Sequence, residues 1–329
     1  MQVPTVQASP RRSPRLSASC TAAAQIPAMQ LDDLELVGTA APGSFEIGSA
    51  PGARDDVDAV LDDEEFRQLH AISSSSPLPP PIQRFVDAPF AAPVKALFRK
   101  LGWGGPSAVQ AQGWPIALSG CDIVAIAKTG SGKTLGFLLP AFETIKNKLP
   151  IKQGQGPLAL VMAPTRELAQ QINEEAERFG TAAGVKTACV YGGAPKGPQI
   201  GLLSRGRPAL IVGTPGRLND LLDLQRPVVT NLESCAFLVL DEADRMLDMG
   251  FAPQISSVIN RMPAERQTLF FTATWPTEVR KLAASYLKPS AVRIFIGGSD
   301  TKLVANKAIA QQFRLLQSDA DKPVVLNEI

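Results

Sequence analysis

Histidine is almost missing from this sequence: His70 is the single one in 329 residues. One imidazole in a polar stretch excludes a histidine-built catalytic or metal centre, and a solvated ring is the expectation for it. Cysteine is scarce as well. Cys20, Cys121, Cys189 and Cys235 lie far apart and follow no metal-ligand spacing, which fits a reducing compartment and no zinc site. Nowhere is there a run of about 18 apolar residues, so no membrane span is expected. Neither sign of charge dominates: 33 Lys and Arg face 31 Asp and Glu, a net charge of +2. A strong overall positive field is therefore excluded, and any nucleic-acid contact has to come from a local cleft. No internal repeat is visible.

What remains is ample material for a core, with 45% hydrophobic and 19% charged residues and a length that suits one to three domains. Residues 1–80 differ from the rest. Their start, "MQVPTVQASPRRSPRLSASCTAAA", carries three arginines and no acid before Asp32. It reads equally as an organelle transit peptide or a disordered basic tail. An acidic stretch follows, "RDDVDAVLDDEEF", expected as a solvated or weakly helical face. "SSSSPLPPP" (73–81) reads as a flexible spacer, and order is expected to begin near Phe85.

From about residue 93 to 297 apolar runs of strand length alternate with helical patterns. The strand candidates are 122–127, 158–163, 187–191, 209–213, 236–240, 268–272 and 292–296. Residues 166–179 place Leu168, Ile172, Ala176 and Phe179 on one helical face. Such alternation predicts an α/β fold, a doubly wound parallel sheet with helices on both faces.

The first strand leads into AKTGSGKT: Ala127, Lys128, Thr129, Gly130, Ser131, Gly132, Lys133 and Thr134. This is the phosphate-gripping P-loop, with Ala127 where the strict pattern has Gly. Gly130 and Gly132 allow turns that aim backbone N–H groups at an anion, and a helix starting near Lys133 adds its positive end. Lys133 can reach the β and γ phosphates of a nucleotide, and the Thr134 hydroxyl is placed for Mg²⁺. The loop alone leaves kinases, transporters, motors and helicases open. Each later strand also ends in a polar or Gly-rich cluster: PTRELAQ from Pro164, Gly192–Gly193, TPGR (214–217), DEAD (241–244) and TAT (272–274). In open α/β sheets ligands sit beyond the carboxyl ends of the strands, so the clusters are expected to form one continuous site.

In this order these motifs resemble those of the DEAD-box ATP-dependent RNA helicases, over roughly Phe85 to the end of the chain. The resemblance implies a RecA-like ATP-binding domain over 81–296, an interdomain linker at 297–308 and the start of a second RecA-like domain at 309–329. "GWGGPSAVQ" (102–110) matches the family's adenine-reading motif. Gln110 is then implied to read the adenine edge, and Phe85, 17 residues before Gly102, to stack on the base. Asp241 would hold Mg²⁺, largely through water, and Glu242 would orient the attacking water; with Lys133 they form the implied catalytic set. Pro164, Thr165, Arg166, Gly193, Thr214 and Arg217 would face RNA and touch its backbone, so that single-stranded or duplex RNA is bound without regard to sequence. Asp244, Thr272 and Thr274 would couple nucleotide to RNA. Thr272 stands where the family usually has Ser, which keeps the hydroxyl and adds a methyl group. The resemblance implies ATP and Mg²⁺ as cofactors, a monomer, and helper proteins as further partners.

The family's second domain supplies arginine fingers, and none is assignable here. The 329-residue chain is therefore expected to bind ATP weakly, hydrolyse it little and not unwind duplexes, with 305–329 poorly packed. The alternatives are a non-catalytic RNA- or partner-binding module and a P-loop small-molecule kinase, which has no use for Gln110 or TPGR. An intracellular location is expected, with nucleus, nucleolus, plastid and mitochondrion all open.

Overall fold

A computed structural model describes residues 60–224 and 229–298, together with Lys322. The N-terminal 1–59, where the transit-like segment falls, and, Lys322 apart, the expected second-domain strand and helix at 309–329 lie outside the described residues. The chain begins with α1 (Asp63–Leu69), β1 (Ser73–Ser74), α2 (Ala92–Lys100) and α3 (Ala108–Leu118). Alternating elements follow: β2 (Ile123–Ala127), α4 (Lys133–Lys146), β3 (Ala159–Met162), α5 (Arg166–Ala183), β4 (Thr187–Val190), α6 (Lys196–Gly206), β5 (Leu210–Gly213) and α7 (Pro215–Leu222). Then come β6 (Phe237–Leu240), α8 (Ala243–Asp248), α9 (Ala252–Ile259), β7 (Gln267–Thr272), α10 (Thr277–Tyr286) and β8 (Val292–Ile296).

The strands form one sheet in the order β1-β8-β2-β7-β6-β3-β5-β4. Every neighbouring pair is parallel except β1 with β8. Alternate side chains feed two cores. Ala125, Val161, Val212, Val239 and Phe271 pack on one face with α2 to α5; Val124, Leu160, Ile211, Leu238 and Phe270 pack on the other with Leu203, Ile255 and Val279. Burial on both faces is why these strands are continuous apolar runs, and the doubly wound parallel sheet expected from the sequence is what forms. α5 extends further than its expected helix; Ile172, Ala176 and Phe179 are buried, whereas Leu168 is half-buried and Ala169 takes the deeper place.

Order begins well before Phe85, which corrects the expected boundary at residue 80. α1 is capped by Asp62, whose side chain accepts from the Glu64 N–H, and Asp63, Glu64 and Glu65 fill its first turn, where the helix dipole favours acids. The last residues of the acidic stretch, from Asp62, are thus a helix start that buries Phe66. Two residues of the serine run, Ser73 and Ser74, pair with Phe295 and Ile294 as an antiparallel edge strand. That pairing uses backbone groups alone, so composition gives no sign of it; the open edge of β8 supplies the partner.

Candidate active site and nucleic-acid face

In the six parallel strands from β2 to β4 the carboxyl ends fall on one edge, so the polar clusters line up in sheet order. AKTGSGKT comes first, then TAT, DEAD, PTRELAQ, TPGR and Gly192–Gly193. With strands about 4.8 Å apart the row is about 24 Å long. DEAD sits in the middle, between the phosphate loop side and the arginine side.

At the phosphate end, Ala127 is the last residue of β2, paired with Ile296, and its side chain is buried. Its backbone is ordinary strand, which explains why the departure from Gly is tolerated. Its carbonyl accepts from Lys133 Nζ at 3.1 Å. Lys133 is only 7% exposed, an ammonium held on a backbone oxygen at the mouth of the loop. Lys128, Thr129 and Gly130 are exposed, Thr134 is half-buried, and the Ser131 hydroxyl is buried without a hydrogen-bond partner. Gly132 has φ +85°, and a Cβ there would lie 2.7 Å from Ser107 Oγ and 2.8 Å from Gln110 Nε2. Only glycine satisfies both demands.

That close approach joins the loop to the GWGGPSAVQ segment. Gln110 Nε2 donates to the Gly132 carbonyl at 3.0 Å, and Gln110 Oε1 accepts from the Ser107 N–H at 3.1 Å. One donor and one acceptor of the amide remain for a ligand. Trp114 adds a second tie, its indole N–H donating to the Leu135 carbonyl at 3.0 Å.

Phe85 packs at the edge of the core. It is 8% exposed, stacked on Phe98 with ring centroids 4.0 Å apart and tilted against Trp114 at 6.2 Å. Its ring belongs to an aromatic cluster that spacing does not reveal, in which Trp103 also packs, against Phe98 and Phe179. The exposed aromatic of this segment is Trp103, at 39%, which the sequence reading passed over although it lies inside "GWGGPSAVQ".

In the centre, the Asp241 N–H bonds the Met162 carbonyl at 3.0 Å, so β6 delivers the carboxyl directly to the rim. Asp241 is 3% exposed. Burial pushes its carboxyl up to about 6, Lys133 pulls it back down, and Glu242 and Asp244 push it up again. Glu242 holds a left-handed backbone (φ +49°) rare for a non-glycine residue, and its carboxylate lies 3.3 Å from Arg245 Nη1. Asp244 Oδ2 accepts from both the N–H and the hydroxyl of Thr274, at 2.9 and 2.8 Å. Thr272 is fully buried, and its hydroxyl donates to the Thr274 carbonyl at 2.9 Å, so the added methyl leaves the polar role intact.

At the far end, Pro164 is buried and Thr165 caps α5, accepting from the Leu168 N–H. Arg166 is exposed with its guanidinium 5.0 Å from the centre of the Tyr191 ring, and Tyr191 Oη accepts from Gln170. Thr214 Oγ1 accepts from the Gly192 N–H at 3.3 Å, and Arg217 Nη2 donates to the Ala194 carbonyl at 2.9 Å, so TPGR grips the loop around the open Gly193. Arg217 is 7% exposed, with Asp220 Oδ2 3.6 Å from Nε, and its Nη1 has no hydrogen-bond partner. A buried guanidinium left with spare donors is an unmet demand for an acceptor. Tyr191, Ala194 and Asp220 were not singled out from the sequence; Tyr191 was legible as the end of "TACVY".

Other chemistry is poorly supplied. Burial pushes the Cys189 and Cys235 thiols up to about 12, far from nucleophilic. Among the described residues no three His, Cys, Asp or Glu side chains gather as a metal cage. No helix among them is long and apolar enough to cross a membrane.

The decisive comparison is with protein families: residues 107–282 match the model of the DEAD/DEAH box helicase domain. The chain belongs to this family. Its DEAD-box relatives include an ATP-dependent RNA helicase p62 of Drosophila melanogaster, 49% identical over 75% of this chain and 34% of that protein. DEAD-box ATP-dependent RNA helicase 40 of rice is 50% identical over 77% of this chain and 31% of its own length. Among solved structures, the RNA helicase Prp28 of Chaetomium thermophilum bound to ADP aligns with a TM-score of 0.65 and 32% identity, over 75% of this chain and 59% of that one. The chain thus spans about a third of these curated DEAD-box relatives.

Proposed function

We propose that this chain provides the ATP-binding half of an ATP-dependent RNA helicase, in which nucleotide hydrolysis drives closure of two domains on RNA and local strand separation. The observation that carries this reading is the rim order: Asp241, near Lys133 on one side, sits one strand from PTRELAQ and two from Arg217. ATP and RNA would then be neighbours on one surface.

In this reading Lys133 leaves the Ala127 carbonyl for the phosphates, a charge-assisted contact stronger than the one it gives up. Backbone N–H groups of the loop and the orphan Ser131 hydroxyl take further phosphate oxygens. Asp241 and Thr134 suit Mg²⁺: a buried carboxyl pushed toward protonation is one that a cation would restore to its charged form. Mg²⁺, when bound, neutralises charge on the phosphate oxygens. Glu242, positioned by its left-handed backbone, accepts a proton-side hydrogen bond from the attacking water. Gln110 reads the adenine edge with its spare donor and acceptor, and an aromatic of the cluster that holds Phe85 and Trp103 covers the base. Arg217 and Arg166 take RNA phosphates, which carry no base identity, and 2′-hydroxyl contacts would favour RNA over DNA.

The test uses the 329-residue chain with fluorescent ADP and a single-stranded RNA of mixed sequence. Lys133→Ala is expected to weaken ADP roughly 10- to 100-fold, as loss of a charge-assisted contact does, and to leave RNA binding in place. Arg217→Met is expected to weaken RNA and spare ADP. RNA binding unaffected by Arg217→Met, or lost together with ADP in Lys133→Ala, would sink the two-site reading.

A further inference from the structure

The N-terminal strap was read from sequence as tail and spacer, yet it is tied to two functional parts of the domain. On one side it reaches α3, the helix that carries Gln110. Arg67 Nε donates to Gln112 Oε1 at 3.2 Å, and Arg67 Nη2 donates to the Pro79 carbonyl at 3.1 Å. Gln112 is fully buried and donates to the same Pro79 carbonyl at 2.8 Å. The Ile82 N–H bonds the carbonyl of Ala111, next to Gln110, at 2.9 Å. Leu61 and Gln83 exchange two hydrogen bonds, which close the strap on itself.

On the other side the strap meets the point where the chain leaves the sheet. The β1–β8 ladder continues past Ile296: the Gly297 N–H donates to the His70 carbonyl and the Gly298 N–H to the Ala71 carbonyl, both at 3.2 Å. Both glycines have positive φ, +86° and +96°, with open space around them. Consecutive residues in this region swivel freely unless something holds them. What holds them is residue pair 70–71, and Ala71 itself is left-handed at φ +47°. Among the described residues only two other non-glycine residues share that backbone, one of them Glu242 at the acidic centre. A non-glycine residue persists there only when its surroundings fix it, and Phe66 and Ile72, buried on either side of the turn, do so.

We propose that residues 60–80 are a latch: they hold the Gly297–Gly298 hinge closed against the end of β8 and link it, through Arg67 and Gln112, to the helix that reads the nucleotide. Arg67 is the positioning residue; it touches no substrate. The link to nucleotide rests on the proposed function, whereas the latch itself does not.

Amide exchange on the whole 329-residue chain tests both. Without ligand, Arg67→Met is expected to speed exchange at Gly297 and Gly298 roughly tenfold while Val124 and Leu238 keep their protection. Saturating Mg²⁺–ADP is expected to slow exchange at the two glycines in the unmodified chain and to lose that effect in Arg67→Met, with ADP affinity unchanged within about twofold. If Arg67→Met loses protection throughout, Arg67→Lys, which keeps the charge and the stem, takes its place. Glycine amides that exchange equally in variant and parent overturn the latch. An equal ADP effect in both overturns the link to nucleotide. ADP that does not bind the parent overturns the proposed function, and the ligand-free comparison still decides the latch.

Discussion

Asp244 and Thr274, 30 residues apart in sequence, are joined twice: one carboxylate oxygen accepts from both the backbone N–H and the hydroxyl of the threonine. The bonds cross from the end of β6 to the end of β7, neighbouring strands that lie between the arginine side of the rim and the phosphate loop. A change at the acidic cluster is therefore felt directly by the TAT turn, the contact through which the proposed coupling of nucleotide to RNA would run.

Thr274→Ala removes one of those two bonds and keeps the other. The expected loss of stability is about 1 kcal/mol, that of a single hydrogen bond. ADP affinity should stay close to the parent's, whereas any effect of ADP on RNA affinity should shrink. Denaturant titration and RNA binding with and without ADP check the two halves.

Gly132→Ala asks for a Cβ where Ser107 Oγ and Gln110 Nε2 already stand, on a backbone at φ +85°. The strain is on the order of 1 to 3 kcal/mol, and relief requires Gln110 to move off the Gly132 carbonyl. Loss of adenine discrimination should accompany the loss of stability. Competition between ADP and GDP in the variant measures it; unchanged preference would separate Gln110 from base reading.

Asp241 gives a pH dependence with a definite sign. Its folded-state carboxyl is raised to about 6 by burial, above the value near 4 of an unfolded chain. The folded state then holds its proton longer than the unfolded state, so this group costs stability as pH rises from about 4 to about 6 and the cost stays constant above that. The full cost is about 3 kcal/mol in the absence of a cation. Asp241→Asn removes it, so the variant should gain on the parent across that window in Mg²⁺-free buffer, as read by paired denaturant curves. Mg²⁺ binding by the parent, which needs the charged form, should weaken below about pH 6.

Phe85 and Trp103 should separate packing from binding. Phe85→Ala empties a core position stacked on Phe98 and is expected to cost about 3 to 5 kcal/mol. Trp103→Ala removes a ring that is 39% exposed and stacked on Phe179, so it should cost less stability than Phe85→Ala, while weakening adenine nucleotide by about 1 to 3 kcal/mol, the range of base–aromatic stacking. Equal nucleotide affinity in Trp103→Ala and the parent would exclude the indole from the base site.

Much of the fold was legible because it is written in local chemistry. The five inner parallel strands, β2, β3, β5, β6 and β7, are apolar runs buried on both faces, and the P-loop is a contiguous segment whose glycines are demanded by backbone geometry. The candidate site was legible for a related reason: each strand places the next few residues at the rim, so motifs distant in sequence could be assigned to one edge before any distance was known. The sequence by itself determined this alternation, the strand-end clusters and the family they resemble. Tertiary structure alone decided the rest. It put Phe85 inside an aromatic cluster, left Arg217 with a donor unspent, set Gln110 against Gly132, and laid two serines along β8. Each of those depends on which surfaces meet in three dimensions, and on backbone groups that every residue carries, so no composition or spacing along the chain records them.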